Sequence, residues 1–104
     1  LFIGGCGRLF EGTPSMLFES LSRLKRYCRP ENRLWVGHEY TESNLRFAQV
    51  AEPQNEAIRK ALERSHSLQV TIPGSWADEL ATNPFVRAET VESLGALRAW
   101  KDEF

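Results

Sequence analysis

The chain has 104 residues, with 13 basic and 14 acidic side chains and a formal net charge of −1. That length allows one domain with a thin core, burying roughly 60–70% of the surface its unfolded form exposes. The near-neutral balance provides no global field for nucleic acid or anionic lipid, and no apolar run of about 18 residues exists to span a bilayer.

Ten arginines stand against three lysines. Guanidinium groups pair bidentately with carboxylates, so this bias points to acidic partners, although stems lying along helix surfaces account for most of them. Cys6 and Cys28 show no CxxC spacing and are too few for a disulfide framework. A reducing compartment is therefore expected, the cytoplasm or the mitochondrial matrix. The chain opens in an apolar stretch without a methionine, and a fragment of a longer protein is expected.

Leu1-Phe2-Ile3 predicts a strand, followed by a glycine-punctuated loop from Cys6 to Gly12. Thr13 caps a helix with Pro14 in its first turn, and Leu17, Phe18, Leu21 and Leu24 give it one apolar stripe to about Cys28. Pro30-Glu31-Asn32 turns into a second strand, Arg33 to Val36. Gly37 then allows a turn or a close backbone approach, and His38 follows. Thr41 caps the next helix, which carries Leu45, Phe47, Ala48 and Val50 and stops before Pro53. Asn55 to about Ser65 forms another amphipathic helix through Ile58, Ala61 and Leu62, with His66 solvated at its end. Val70 to Pro73 reads as extended, Ser75 with Asp78 starts a short helix, and Asn83-Pro84-Phe85 is a turn. Thr90 caps the last helix, through Leu94, Leu97 and Trp100 to Phe104.

Residues 1–40 therefore read as strand–helix–strand, the end of an α/β layer, and residues 41–104 as an appended helical subdomain. Two lone strands make no stable sheet, so the missing strands are expected ahead of Leu1. His38, beyond a strand end, is a candidate metal ligand or acid/base, or else a hydrogen-bonded structural histidine. A single histidine does not hold a metal. Cys6 is either a small buried thiol or a nucleophile activated by His38.

Three stretches carry a family resemblance. Leu1-Phe2-Ile3-Gly4-Gly5-Cys6-Gly7-Arg8-Leu9-Phe10-Glu11-Gly12-Thr13 resembles the post-strand loop of glyoxalase II, also called hydroxyacylglutathione hydrolase. Gly37-His38-Glu39-Tyr40-Thr41 with Asn44-Leu45-Arg46-Phe47-Ala48 is similar to its last metal-ligand segment and the helix behind it. Asn83-Pro84-Phe85-Val86-Arg87 and Arg98-Ala99-Trp100-Lys101-Asp102-Glu103-Phe104 are similar to its C-terminal helical domain. The resemblance implies the C-terminal end of a metallo-β-lactamase αββα sandwich followed by an all-helical, glutathione-contacting subdomain.

The activity it implies is hydrolysis of S-2-hydroxyacylglutathione, such as S-D-lactoylglutathione, by metal-activated water, the reaction of methylglyoxal detoxification. Two divalent metal ions are implied, zinc with iron or manganese as further occupants. Most of their ligands, a THxHxDH motif, a further histidine and a bridging aspartate, lie outside this chain. His38 alone matches a ligand position. Arg8, Tyr40, Arg98 and Lys101 match positions that contact glutathione. Two departures bear on affinity: arginine stands at position 8 where the family often has lysine, and Phe10 where it often has tyrosine. The implied partners are the glutathione thioester and the missing N-terminal half of the fold, with no nucleic acid and no membrane. Two other readings remain, a persulfide dioxygenase-like mononuclear iron enzyme and a non-catalytic glyoxalase-derived binding protein. Persulfide dioxygenases generally lack the helical extension that residues 83–104 provide.

Overall fold

The chain folds into six helices and one two-stranded ladder. A computed structural model describes residues 1–104. Helix α1 (Pro14–Tyr27) starts where Thr13 Oγ1 accepts the Met16 N–H at 3.2 Å. It ends with Lys25 and Arg26 against its partial negative charge. Strand β1 (Arg33–Leu34) leads to α2 (Thr41–Ala51) and α3 (Glu56–His66), the latter capped by Asn55 on the Ala57 and Ile58 N–H groups. Strand β2 (Gly74–Ser75) runs directly into α4 (Trp76–Thr82), whose Ser75 cap accepts the Asp78 N–H. The single-turn α5 (Pro84–Arg87) precedes α6 (Val91–Glu103), which opens with a reciprocal capping box between Thr90 and Ser93.

The core forms where these elements meet. Phe47 from α2, Trp76 from α4, Phe85 and Val86 from α5, Leu94 from α6, Leu21 from α1 and Cys6 from the opening loop make one buried cluster. Leu17, Phe18 and Leu24 of the α1 stripe are only partly buried against it. Both sides of the residue 40/41 boundary thus contribute to the same interior. The Cα radius of gyration is 12.8 Å, about that of an ordinary globular domain of this length.

Several expectations are corrected. The metallo-β-lactamase sandwich is not present in this chain: the only sheet is β1 against β2, antiparallel, with Arg33 opposite Ser75 and Leu34 opposite Gly74. Leu1-Phe2-Ile3 is not a strand, because Phe2 and Gly5 exchange both backbone hydrogen bonds across a tight turn instead of pairing with another segment. Gly4 takes φ +74° at the third position of that turn, a conformation that disfavours any side chain. The second strand stops at Leu34 rather than Val36, since its partner is only two residues long. Gly37 meets no close approach, for a Cβ built on it would lie in open space. Tyr40, not Thr41, occupies the N-cap of α2, without a side-chain cap bond, and Thr41 is its first helical residue. Val50 faces solvent, and the Asn83-Pro84-Phe85 turn is the start of α5.

Candidate functional site

A cleft of about 440 Å³ lies between the opening loop, the start of α2 and the end of α6. Arg8, Tyr40, Arg98 and Lys101 all border it, with Phe2 and Phe10 among the apolar walls. Three of these four side chains offer polar groups to the opening, and the fourth is turned inward.

Lys101 is half-buried, and its Nζ donates to Asn44 Oδ1 at 2.6 Å. Burial first, and the neighbouring Arg98 guanidinium second, push its ammonium below the usual lysine range. Arg8 is exposed, with its Nε 3.9 Å from Asp102 Oδ1. A surface pair that long contributes little, so the Arg8 guanidinium is free to take another carboxylate. Tyr40 is 48% exposed and stacks flat on His38, with ring centroids 4.9 Å apart and planes within 4°. Phe2 packs at a tilt against both rings, at 5.9 Å from His38 and 5.1 Å from Tyr40.

Arg98 is different. It is 4% exposed and its Nη1 donates to the carbonyl of Cys6 and, at 3.2 Å, to that of Gly7. Nε and Nη2 reach Asp102 Oδ1 at 3.0 and 2.9 Å, and the guanidinium lies over the Phe85 ring. Most of its donors are therefore spent inside the protein, which makes it the anchor of the opening loop. Cys6 is buried beside it, and burial raises its thiol above the ordinary range despite the cation. A protonated, covered thiol is a poor nucleophile. Nor does any hydrogen bond join it to His38.

His38 is exposed and stands without other donors, since no three His, Cys, Asp or Glu side chains converge anywhere in the chain. The adjacent Glu39 carboxylate is committed to Thr71, accepting from its hydroxyl and, at 3.0 Å, from its amide. Its slight burial would raise its pKa, but these bonds hold it below the usual carboxylate range. The residues present therefore do not by themselves make a metal site. His66, the second histidine, is exposed at the end of α3 and faces Glu42 at 3.5 Å.

Residues that sequence reasoning passed over hold the cleft together. Asn44 Nδ2 donates to the Ile3 carbonyl at 3.0 Å while its oxygen receives Lys101. Glu79 is 0% exposed and accepts the Gly4 N–H at 3.0 Å. Its carboxyl is pushed up to about 7 by burial, opposed by donation from Asn83 and Gly4. Asn83 Nδ2 donates to Glu79 and to the Gly5 carbonyl. The one available signal was Asn83 before Pro84, a cap followed by a proline at the first helical position. A second cavity, about 340 Å³ between α2, α3 and α4, borders the other side of Glu79 and includes Arg33 and Arg64.

Comparison with known proteins gives the same family as the residues. The family model described as "Hydroxyacylglutathione hydrolase C-terminus" matches residues 39–104. Among curated relatives, a hydroxyacylglutathione hydrolase of Alkalilimnicola ehrlichii is 42% identical over 99% of this chain and 48% of its own length. One of Acidiphilium cryptum is 45% identical over 100% of this chain and 44% of its own. One of Synechococcus sp. is 44% identical over 100% and 42% respectively. The chain spans about half the length of the relatives it matches.

Proposed function

This chain belongs to the hydroxyacylglutathione hydrolase family, and we propose that it supplies the substrate-holding wall of an enzyme that hydrolyses S-2-hydroxyacylglutathione thioesters. Products would be glutathione and the 2-hydroxy acid, as from S-D-lactoylglutathione. The observation that carries this reading is the convergence of Arg8, Tyr40 and Lys101 on one cleft, beside His38. Glutathione brings two carboxylates, and the cleft offers two cations with available head groups. Tyr40 adds a phenol, and the Phe2 and Phe10 rings add apolar surface for the stem of the ligand.

Lys101 is held in place by Asn44, so a carboxylate docking there finds an ammonium already oriented, and little side-chain entropy is lost on binding. Arg8 exchanges a long contact with Asp102 for a closer one with ligand. Arg98 serves the same cleft indirectly, by fixing the consecutive carbonyls of Cys6 and Gly7. In this reading residues 41–104 are the helical substrate domain and residues 1–40 the end of the hydrolytic domain. The family is metal-dependent. Because His38 is alone here, the two divalent ions, zinc or iron or manganese, would depend on donors from the remainder of the fold, with His38 as one ligand. The expected setting is the cytoplasm or the mitochondrial matrix, and no helix here is long and apolar enough to cross a membrane.

The test is to assay the complete polypeptide for loss of the thioester of S-D-lactoylglutathione and for free thiol release. Turnover with glutathione as product supports the reading. Glutathione binding without turnover would favour a non-catalytic binder, and oxygen consumption with a glutathione persulfide would favour the dioxygenase.

A further inference from the structure

We propose that Glu79 is a positioning residue for this cleft: with Asn83 it fixes the backbone of the Gly4–Gly7 loop, and thereby the seat of Arg8 and Phe2, in the conformation that binds glutathione. The inference rests on the cleft reading above.

The loop contains Gly4, Gly5 and Gly7, residues that lose the most conformational freedom on ordering and bring no side chains to pack. Apart from the Cys6 side chain, which joins the core, its order must come from its backbone, and that backbone is bound at every residue. Asn44 holds the Ile3 carbonyl, Glu79 the Gly4 N–H, Asn83 the Gly5 carbonyl, and Arg98 the carbonyls of Cys6 and Gly7. Four side chains from the helical part thus grip five consecutive residues.

Glu79 is the costliest member. A carboxylate with no solvent exposure gives up its hydration, yet no basic side chain pairs with it here. Its partners are the Gly4 N–H and the Asn83 amide. Asn83 in turn uses its full hydrogen-bonding capacity, donating to Glu79 and Gly5 and accepting from the Phe85 and Val86 N–H groups. The pair therefore welds the opening loop to the start of α5. Close packing reinforces the fixed geometry, since a Cβ on Gly5 would fall 2.7 Å from Asn44 Cγ. The same Asn44 orients Lys101. Loop position and the placement of both cleft cations are thus one mechanical unit, with Glu79 at its buried end.

The experiment compares Glu79→Ala, Asn83→Ser and Glu79→Gln in the complete polypeptide. Serine keeps a cap for α5 but cannot reach Gly5 or Glu79, and glutamine keeps an oxygen for the Gly4 N–H. Readouts are KM and kcat for S-D-lactoylglutathione, the Kd of glutathione, and hydrogen exchange at the Gly4 amide. Glu79→Ala and Asn83→Ser should raise KM and the glutathione Kd together by about tenfold, with kcat within about threefold, the signature of lost uniform binding. Glu79→Gln should stay within about threefold of the parent and keep Gly4 protected. A folded Glu79→Ala with faster Gly4 exchange but unchanged KM and Kd would overturn the proposal, leaving Glu79 a purely structural group. If Glu79→Ala does not fold, Asn83→Ser decides by the same criteria. A parent protein that binds glutathione without hydrolysing the thioester would defeat the catalytic reading alone, and the Kd series would still decide the positioning role. One that fails to bind glutathione would overturn both.

Discussion

Raising the pH from 5 to 7.5 should destabilise the fold through Glu79, in the direction opposite to that of a salt-bridged carboxylate. Its folded pKa is raised from an ordinary 4.5 to about 7, because burial outweighs the bonds from Asn83 and Gly4. Between those two values the folded protein keeps a proton that the unfolded chain has released, so stability falls as pH rises and the loss is complete above about 7. Across the whole window this amounts to about 3 kcal/mol at 1.36 kcal/mol per pH unit, and about 2 kcal/mol between pH 5 and 7.5. Urea unfolding followed by tryptophan emission reads it, since Trp76 lies in the core. The comparison is with Glu79→Gln, which cannot ionise. Other titrating groups affect both proteins alike, and Glu39, held below the usual carboxylate range, changes charge below the window. The parent should therefore lose about 2 kcal/mol more than the variant over this interval. Parallel pH profiles would refute the reasoning and mean that Glu79 stays ionised in the folded protein.

Four further outcomes are expected. Gly5→Ala places a methyl 2.7 Å from Asn44 Cγ. Displacing that amide should cost about 2–4 kcal/mol, from overpacking and two weakened hydrogen bonds, as a shift in denaturation midpoint. His38→Ala should change stability by under about 1 kcal/mol, because the ring is exposed and its contacts are only the Tyr40 and Phe2 rings, while metal analysis of the complete polypeptide should show reduced content at one site. Arg8→Ala, Tyr40→Ala and Lys101→Ala should raise KM for the thioester more than they lower kcat, with binding weakened by salt; a variant losing mainly kcat would assign that residue to the chemistry. The 104-residue chain alone should neither turn over thioester nor retain stoichiometric zinc, and its exposed Trp35, Val70, Tyr27 and Phe10 should favour association on sizing columns.

Four of the helices were legible because each carries its own punctuation, whereas α2 starts at Tyr40 without a side-chain cap bond. Thr13-Pro14, Asn55, Ser75 and Thr90 announce helix starts by local chemistry, and each does cap the helix that follows. Strands carry no such autonomy. Leu1-Phe2-Ile3 has strand composition, but a strand exists only with a partner, and here the backbone finds one within itself at Gly5. α5 was hidden because a cap followed by proline reads equally as a turn when the helix lasts only four residues. The site was legible in its residue types and not in their orientation. The capping pattern marks Asp78, on the exposed face of α4, but nothing in the sequence marks the fully buried Glu79 beside it. Only packing against the opening loop, 75 residues away in sequence, does so.

Arg98 and Lys101 show why charge type matters as much as charge. They sit three residues apart on α6, and sequence alone treats them as two cations in a last turn. A planar guanidinium can serve Asp102 along one edge and two carbonyls from the other end, so position 98 can be buried with most of its donors used. An ammonium is a compact charge with three rotatable donors, and at position 101 one bond to Asn44 leaves capacity for a ligand. The two residues therefore divide the work, one building the floor of the cleft and the other lining its mouth. That division leaves Arg8 and Lys101 as the cations available to a ligand, matching in number the two carboxylates of the glutathione proposed above. In the proposed reading, arginine can serve at position 8, because with Asp102 already held by Arg98 its fork has only a weak competitor for an incoming carboxylate.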